Sequence, residues 1–245
     1  MPGIWIQALL LNAFLIALAQ RTSVLTPAGW VHAAALGTIL WGCLGWSGWL
    51  AVVIYLILGS LVTRLGFRDK KRRGLAEARE GQRGPENVWG SAAVGAVLAL
   101  LIGAGFEPRQ LLLIGFSASF AAKLADTFGS EIGKRWGRTT VLITNLKPVS
   151  PGTEGAISLE GTLASAAGSI VMTLVCLSLQ LLTTSSAAML VMVVGLLATL
   201  AESLIGALLQ ERTPWLTNEL INGLQTLIAA LLAIVVARLI LPVVG

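Results

Sequence analysis

The sequence predicts an all-α, polytopic transmembrane helix bundle, and three observations carry that prediction. Of the 245 residues, 56% are hydrophobic and only 12% charged, more apolar surface than one water-soluble core of this length hides. The apolar residues fall in uncharged runs close to the ~17 to 25 residues that a helix needs to cross a bilayer. Lys and Arg gather in alternate connections between those runs, which is the positive-inside pattern of a correctly threaded chain.

The runs are 4–19, 28–44, 47–63, 88–105 and 110–122, followed by 161–182, 187–209 with an internal Glu202, and 220–241 with Arg238 near its far end. They give about eight spans, with seven to nine as the range. Segments 28–44 and 47–63 are short and separated only by Gly45 and Trp46, so they are either two crossings or a re-entrant hairpin. Ala17-Leu18-Ala19 looks like a signal-peptidase site, but no positive charge precedes the run and Arg21 follows it, so a retained first span is expected. Trp5, Trp30, Trp46, Trp49, Trp89 and Trp215 fall near span ends, where an amphipathic ring anchors at the interface.

The chain therefore reads as one membrane domain, 1–245, with cytoplasmic loops 64–87 and 126–160. The first holds Arg64, Arg68, Lys70, Lys71, Arg72, Arg73, Arg79 and Arg83; the second holds Lys134, Arg135, Arg138 and Lys147. Arg21 and Arg212 share their side, whereas Arg109 and Arg238 lie opposite, so both termini are expected outside the cytoplasm. The pI near 9.8 needs no nucleic acid to explain it, because these loops meet anionic headgroups. Cys43 and Cys176 lack metal-ligand spacing and read as small packed residues. His32 reads as a packed or hydrogen-bonded helix residue.

Polar chemistry concentrates in 126–160. If the fifth helix continues through Lys134, Asp126, Ser130 and Lys134 stack on one face, with Thr127 and Glu131 beside them. Gly129, Gly133 and Gly137 repeat at the same step and leave a strip that another backbone, or a phosphate, can approach closely. Segment 147–155, with Pro148, Pro151, Gly152 and Gly155, cannot be helical throughout. Its turns are able to nest phosphate oxygens, with Lys147 and Thr153 as further donors. Residues 129–135 fail as a Walker A loop: three residues intervene where four are needed, and Arg135 stands where Ser or Thr belongs.

Leu200-Ala201-Glu202-Ser203-Leu204 echoes Leu124-Ala125-Asp126-Thr127-Phe128, an internal repeat that sets Asp126 and Glu202 at similar depths on inward-running helices. A lipid-buried carboxylate costs several kcal/mol unless neutral, paired or metal-bound. Two such acids suit a hard ion such as Mg²⁺, which keeps waters and phosphates as its remaining ligands. Gly206 and Gln210 extend the Glu202 face, while Asn218, Asn222 and Gln225, and Asn87, Ser91 and Gly95, line the starts of neighbouring spans. All point to one end of the bundle.

The runs QRGPENVWGS, ADTFGSEIGKRWG, KPVSPGTEGAISLEGTLAS, ESLIGALLQ and TNELING resemble an integral-membrane family, formerly a domain of unknown function, that includes the phytyl-phosphate kinases of plants and cyanobacteria; the likeness covers about residues 10–240. It implies phosphoryl transfer from a nucleoside triphosphate, ATP or CTP unresolved, to phytyl or another isoprenoid monophosphate, in tocopherol, phylloquinone and chlorophyll-phytol metabolism. It implies a multi-pass protein of a bacterial (cyanobacterial) inner or thylakoid membrane with its site on the cytoplasmic face. Such a reaction asks for positioning and charge neutralisation rather than a His or Cys nucleophile. In this reading Asp126, Glu131 and Glu202 hold Mg²⁺, and Lys134, Lys147 and Arg83 neutralise phosphate. Gly152, Thr153 and Ser130 bind phosphate, Asn87, Asn218 and Asn222 orient oxygens, and Glu154 orients at best. A kinase for another polyprenyl phosphate and an ion-coupled transporter, which would place its site near the midplane, are the alternatives.

Overall fold

The computed structural model describes residues 2–210, 213 and 215–241; Arg212 lies outside them. The chain is helical almost throughout: α1 Pro2–Ala19, α2 Pro27–Arg64, the short α3 Phe67–Arg72, α4 Pro85–Gly103, α5 Arg109–Trp136, α6 Leu159–Ser178, α7 Ser185–Leu209 and α8 Asn218–Ile240. Their starts follow from local chemistry. The hydroxyls of Thr26, Ser158, Thr184 and Thr217 accept from Gly29, Gly161, Ala187 and Leu220 N–H, satisfying amides that a first turn leaves without a partner. Pro27 and Pro85 occupy first positions, where their fixed φ is already helical.

Six of these helices are long and apolar enough to cross a membrane, and Gly3–Ala19 is a shorter apolar helix. One of the six is two arms. At Gly45 the backbone adopts φ +69° and ψ −163°, a left-handed excursion that glycine makes without a Cβ clash, and the chain reverses there. Arg83 proves the reversal: Gly29 lies against its carbonyl and Gly59 against its guanidinium, although thirty residues of straight helix would hold those glycines about 45 Å apart. The arms 27–44 and 46–64 are each about 27 Å long at 1.5 Å per residue, close to the ~30 Å hydrocarbon core. Eight apolar helical segments result, as the hydropathy predicts, and the arms are a full-length antiparallel pair.

α5 runs through the middle. Phe116, Ala118, Phe120, Ala121, Ala122, Leu124 and Ala125 have no exposed surface, and α2, α4, α6, α7 and α8 all pack on it. Small residues set the spacing. A Cβ on Gly129 would strike Ser165, and Gly161 and Gly168 lie under 3 Å from the Gly129 and Leu124 carbonyls on the same measure. The glycine strip on α5 thus receives the backbone of α6, the close approach that small residues permit in a membrane. Large apolar side chains such as Leu10, Phe14, Leu61, Val97, Leu163, Val193, Leu231 and Leu239 face outward, which in lipid is the stable arrangement.

Segment 126–160 is not one loop. Its first eleven residues complete α5, and the rest carries a two-stranded antiparallel hairpin, β1 Thr140–Leu142 with β2 Ala156–Ser158, paired Thr140 to Ser158 and Leu142 to Ala156. Gly155, at φ +73°, returns the hairpin against Ser203 and Ala207 of α7, where a Cβ would overlap the helix backbone.

Candidate functional site

The loops 64–84 and 137–158 and the ends of α4, α5, α7 and α8 enclose a polar cavity of about 400 Å³. Asp126, Ser130, Glu131, Lys134, Arg83, Asn87, Gly152, Thr153, Glu154, Glu202, Asn218 and Asn222 all line it. Lys147 does not: it is exposed beyond the hairpin, its amide donating to Asn145. Tyr55, Glu77, Arg79, Lys123 and Glu219 also line the cavity, and none of the five was among the candidate site residues.

Lys123 is the centre of the electrostatics. It is 5% exposed, and its ammonium donates to Asp126 and, at 2.9 Å, to Asn222 Oδ1. Glu202 lies within Coulombic reach of Asp126, Lys123 and Glu154. The helices that bear these acids run parallel and in register: Gly195 abuts Ala121, and Thr199 Oγ1 donates to the Ala122 carbonyl at 3.2 Å. The echoed motifs therefore stand at the same depth. Gln225 locks that level from α8, its amide shared between Ala122 O and Thr199 Oγ1.

Glu131 has a different setting. Lys70, without exposed surface, pairs with it and donates to Thr63 O at 2.9 Å; Lys134 lies 4.0 Å from its other oxygen. The charge run 64–83 is thus partly internal: Lys70 is a buried anchor that ties the loop to α5, as are the Lys134–Glu77 and Arg135–Asp69 pairs at 2.8 and 3.2 Å. In Glu77, outside the spans, burial raises the carboxyl pKa, but the Lys134 charge and hydrogen bond outweigh it and hold the group below its ordinary value.

The amides act first as organisers. Asn87 Oδ1 accepts from Gly84 N at 2.9 Å and from Arg79 at 2.8 Å, and its Nδ2 donates to Glu219 at 3.2 Å. Asn218 bonds Gln210. Thr153 spends its amide and hydroxyl on Ser150 O, at 3.2 and 2.8 Å, so those donors already close the turn. His32 accepts from Trp89 Nε1 at 2.8 Å, a helix contact as expected.

Asp126 and Glu202 offer only oxygen ligands at a wet rim, a donor set that suits a hard cation completed by waters and phosphate. Glu131 fits less well because two lysines already neutralise it. Among the described residues, no three His, Cys, Asp or Glu side chains converge as a ready-made ion cage.

Beside the polar cavity lies a second, almost wholly apolar one of about 460 Å³, walled by α1, both arms of α2 and α4. The two share Tyr55, Arg83, Asn87 and Ser91. Arg83 stands at the junction, its guanidinium 5.7 Å from the Tyr55 ring centroid and 3.4 Å from the hydroxyl. Its backbone is fixed by Thr26 N to Arg83 O at 3.0 Å and Arg83 N to Val24 O at 3.1 Å.

Comparison with known proteins places the chain among membrane proteins. The chain is 48% identical to an uncharacterized membrane protein of Synechocystis, sll0875, over 94% of this chain and 90% of that one. It is 39% identical to Protein VTE6, chloroplastic, of Arabidopsis thaliana, over 97% of this chain and 73% of that one. It is 30% identical to an uncharacterized membrane protein of Methanocaldococcus jannaschii, MJ0933, over 94% and 92%. No solved structure matches. Residues 10–230 match the family described as Integral membrane protein DUF92, and this multi-pass integral membrane protein belongs to that family.

Proposed function

We propose that this protein is a prenyl-phosphate kinase, with phytyl monophosphate as acceptor and a nucleoside triphosphate as donor. The observation that supports it is the junction at Arg83, where a cavity lined by hydroxyls, amides and charged groups of both signs meets an apolar groove inside the membrane domain. A prenyl monophosphate has that two-part chemistry: a chain that leaves water and a dianion that needs donors. The chain enters the groove, and Arg83 receives the phosphate, an ion that a planar guanidinium binds with two parallel hydrogen bonds.

In the reaction, a phosphate oxygen of the lipid attacks the γ-phosphorus of the nucleotide. The bond from that phosphorus to the β,γ-bridging oxygen breaks, giving a nucleoside diphosphate and a prenyl diphosphate. The acceptor is already an anion, so no general base is required, and the protein's task is to align two anions and offset their repulsion. Lys134 and Arg83 supply positive charge, and Lys123 holds Asp126 in place. Asp126 and Glu202 are the residues that would hold Mg²⁺, which when bound draws the phosphates together. Glu131 serves as the anchor for Lys70, and Asn87, Asn218, Asn222, Ser130, Gly152, Thr153 and Glu154 shape the cavity wall against the nucleotide.

The test is turnover of the purified protein with phytyl monophosphate, Mg²⁺ and each of ATP, CTP, GTP and UTP, following lipid diphosphate by mass spectrometry. Nucleotide-dependent product that Asp126→Asn abolishes is the expected result and names the donor. Product from another polyprenyl phosphate in place of phytyl would reassign the lipid. No product with any prenyl monophosphate overturns the kinase reading in favour of transport.

A further inference from the structure

The apolar groove has a floor built from a buried polar pair, and we propose that this floor is the chain-length gauge for the prenyl substrate. The inference rests on the kinase reading for its headgroup end and on separate geometry for the floor. From Gly29, beside Arg83, to Leu40 at the deep end, the first arm of α2 climbs eleven residues, about 16 Å, roughly half of the ~30 Å hydrocarbon core. The second arm covers the same distance from Ser60 to Trp49. The groove therefore runs inward from the phosphate end past the middle of both arms and stops about one turn short of Gly45.

What stops it is Asn12 with Trp49. Asn12 is 5% exposed in the middle of the mainly apolar α1, a position where an unpaired amide is costly. Both of its functions are met: Nδ2 donates to Ala8 O at 2.8 Å, and Oδ1 accepts from Trp49 Nε1 at 2.9 Å. Trp49 is braced from its other side by Trp41, edge on, with ring centroids 5.5 Å apart. Gly37 completes the floor, since a Cβ there would overlap the Asn12 amide. The pair thus pins α1 across both arms of α2 and holds an indole across the end of the groove. Helix adhesion alone does not need a rigid ring at the blind end of a lipid-sized cavity. A chain whose phosphate is fixed at Arg83 meets that ring when it is too long, and leaves a void above it when it is too short.

The experiment uses the full-length protein in lipid nanodiscs and has two readouts. The first is kcat/KM for geranyl, farnesyl, phytyl and solanesyl monophosphates. Trp49→Ala, which opens the floor, is expected to shift the ratio toward the longer chains by about tenfold, and Ala33→Phe, one turn from the Arg83 level, to shift it toward shorter ones by a similar factor. Shifts in opposite directions cannot come from general loss of fold. The second readout needs no turnover: phytyl monophosphate with a photoactivatable group at its tail end should label residues at the Gly37, Leu40 and Trp49 level. Turnover with unchanged chain preference in both variants, or labelling elsewhere or removed by excess phospholipid, overturns the gauge and leaves the kinase reading intact. Labelling at the floor without turnover overturns the kinase reading and keeps the groove as a prenyl-phosphate site.

Discussion

Lys123 carries more of the site than its place in the sequence suggests. A lysine inside a span is expensive unless it faces the bundle interior and is paired, and here Asp126 and Asn222 meet both conditions. Replacing it with Met leaves the Asp126–Glu202 pair without its cation, so Lys123→Met should lower kcat by about 100-fold or more, with fold retention checked by thermal melting in detergent. Lys70 and Glu131 make a second buried pair whose role is attachment. Removing one partner from such a pair costs about 3–5 kcal/mol, whereas replacing both with neutral groups of similar shape is often close to neutral. Lys70→Met should therefore lower the melting temperature markedly, and Lys70→Met with Glu131→Leu should recover much of it; an additive loss in the double variant would show that the charges themselves are needed. Neither lysine was legible in the sequence. Lys123 was lost because the fifth span was ended at Ala122, one residue short of it, and Lys70 because it sits in a run of six charged residues, 68–73, that reads as solvated.

At the scale of elements, the distinction is between what periodicity encodes and what only packing decides. The membrane helices were legible as apolar runs, whereas the charged α3 was not, and four-residue steps among Asp126, Ser130 and Lys134 allowed α5 to continue through Lys134 although 126–160 read as a loop; the helix runs on to Trp136. The hairpin of β1 and β2 was not, since three-residue strands flanked by prolines and glycines leave no period to read. The glycine strip was ambiguous between a phosphate and a backbone; α6 occupies it. Loop 64–84 has its own dependence on pH. Because Lys134 holds the Glu77 carboxyl below its ordinary value, the folded state favours the ionised acid, and this tether is fully present above the ordinary carboxylate pKa of about 4.3 and is lost as pH falls through the lower folded value. Hydrogen-exchange protection factors for residues 65–84, corrected for the intrinsic rate, should fall in that acid window. Glu77→Gln should lower them at neutral pH and flatten the acid response.

For the whole molecule, the question that composition left open was whether 28–44 and 47–63 cross twice. Hydropathy alone cannot answer it, because a hairpin that turns back halfway and a pair of full spans have the same apolar residues. The shared contact of Gly29 and Gly59 with Arg83 answers it in space: both arms return to the level of the polar cavity, and Gly45 lies a full helix length away. Trp46, exposed at that turn, then belongs to the face that also carries 104–108 and 179–184, opposite Lys147 and the basic loops. The surplus of Lys and Arg orients that second face to the cytoplasm. This makes a sharp prediction for membrane-impermeant thiol labelling in intact cells of a variant with Cys43 and Cys176 replaced by Ala. Trp46→Cys should react from outside, and Lys147→Cys should react only after the membrane is permeabilised. Reversed labelling would invert the topology while keeping the fold, and protection of Trp46→Cys from both sides would mean that the α2 arms end inside the bilayer. In that case the groove floor at Asn12 and Trp49 would sit closer to mid-membrane than full-length arms place it.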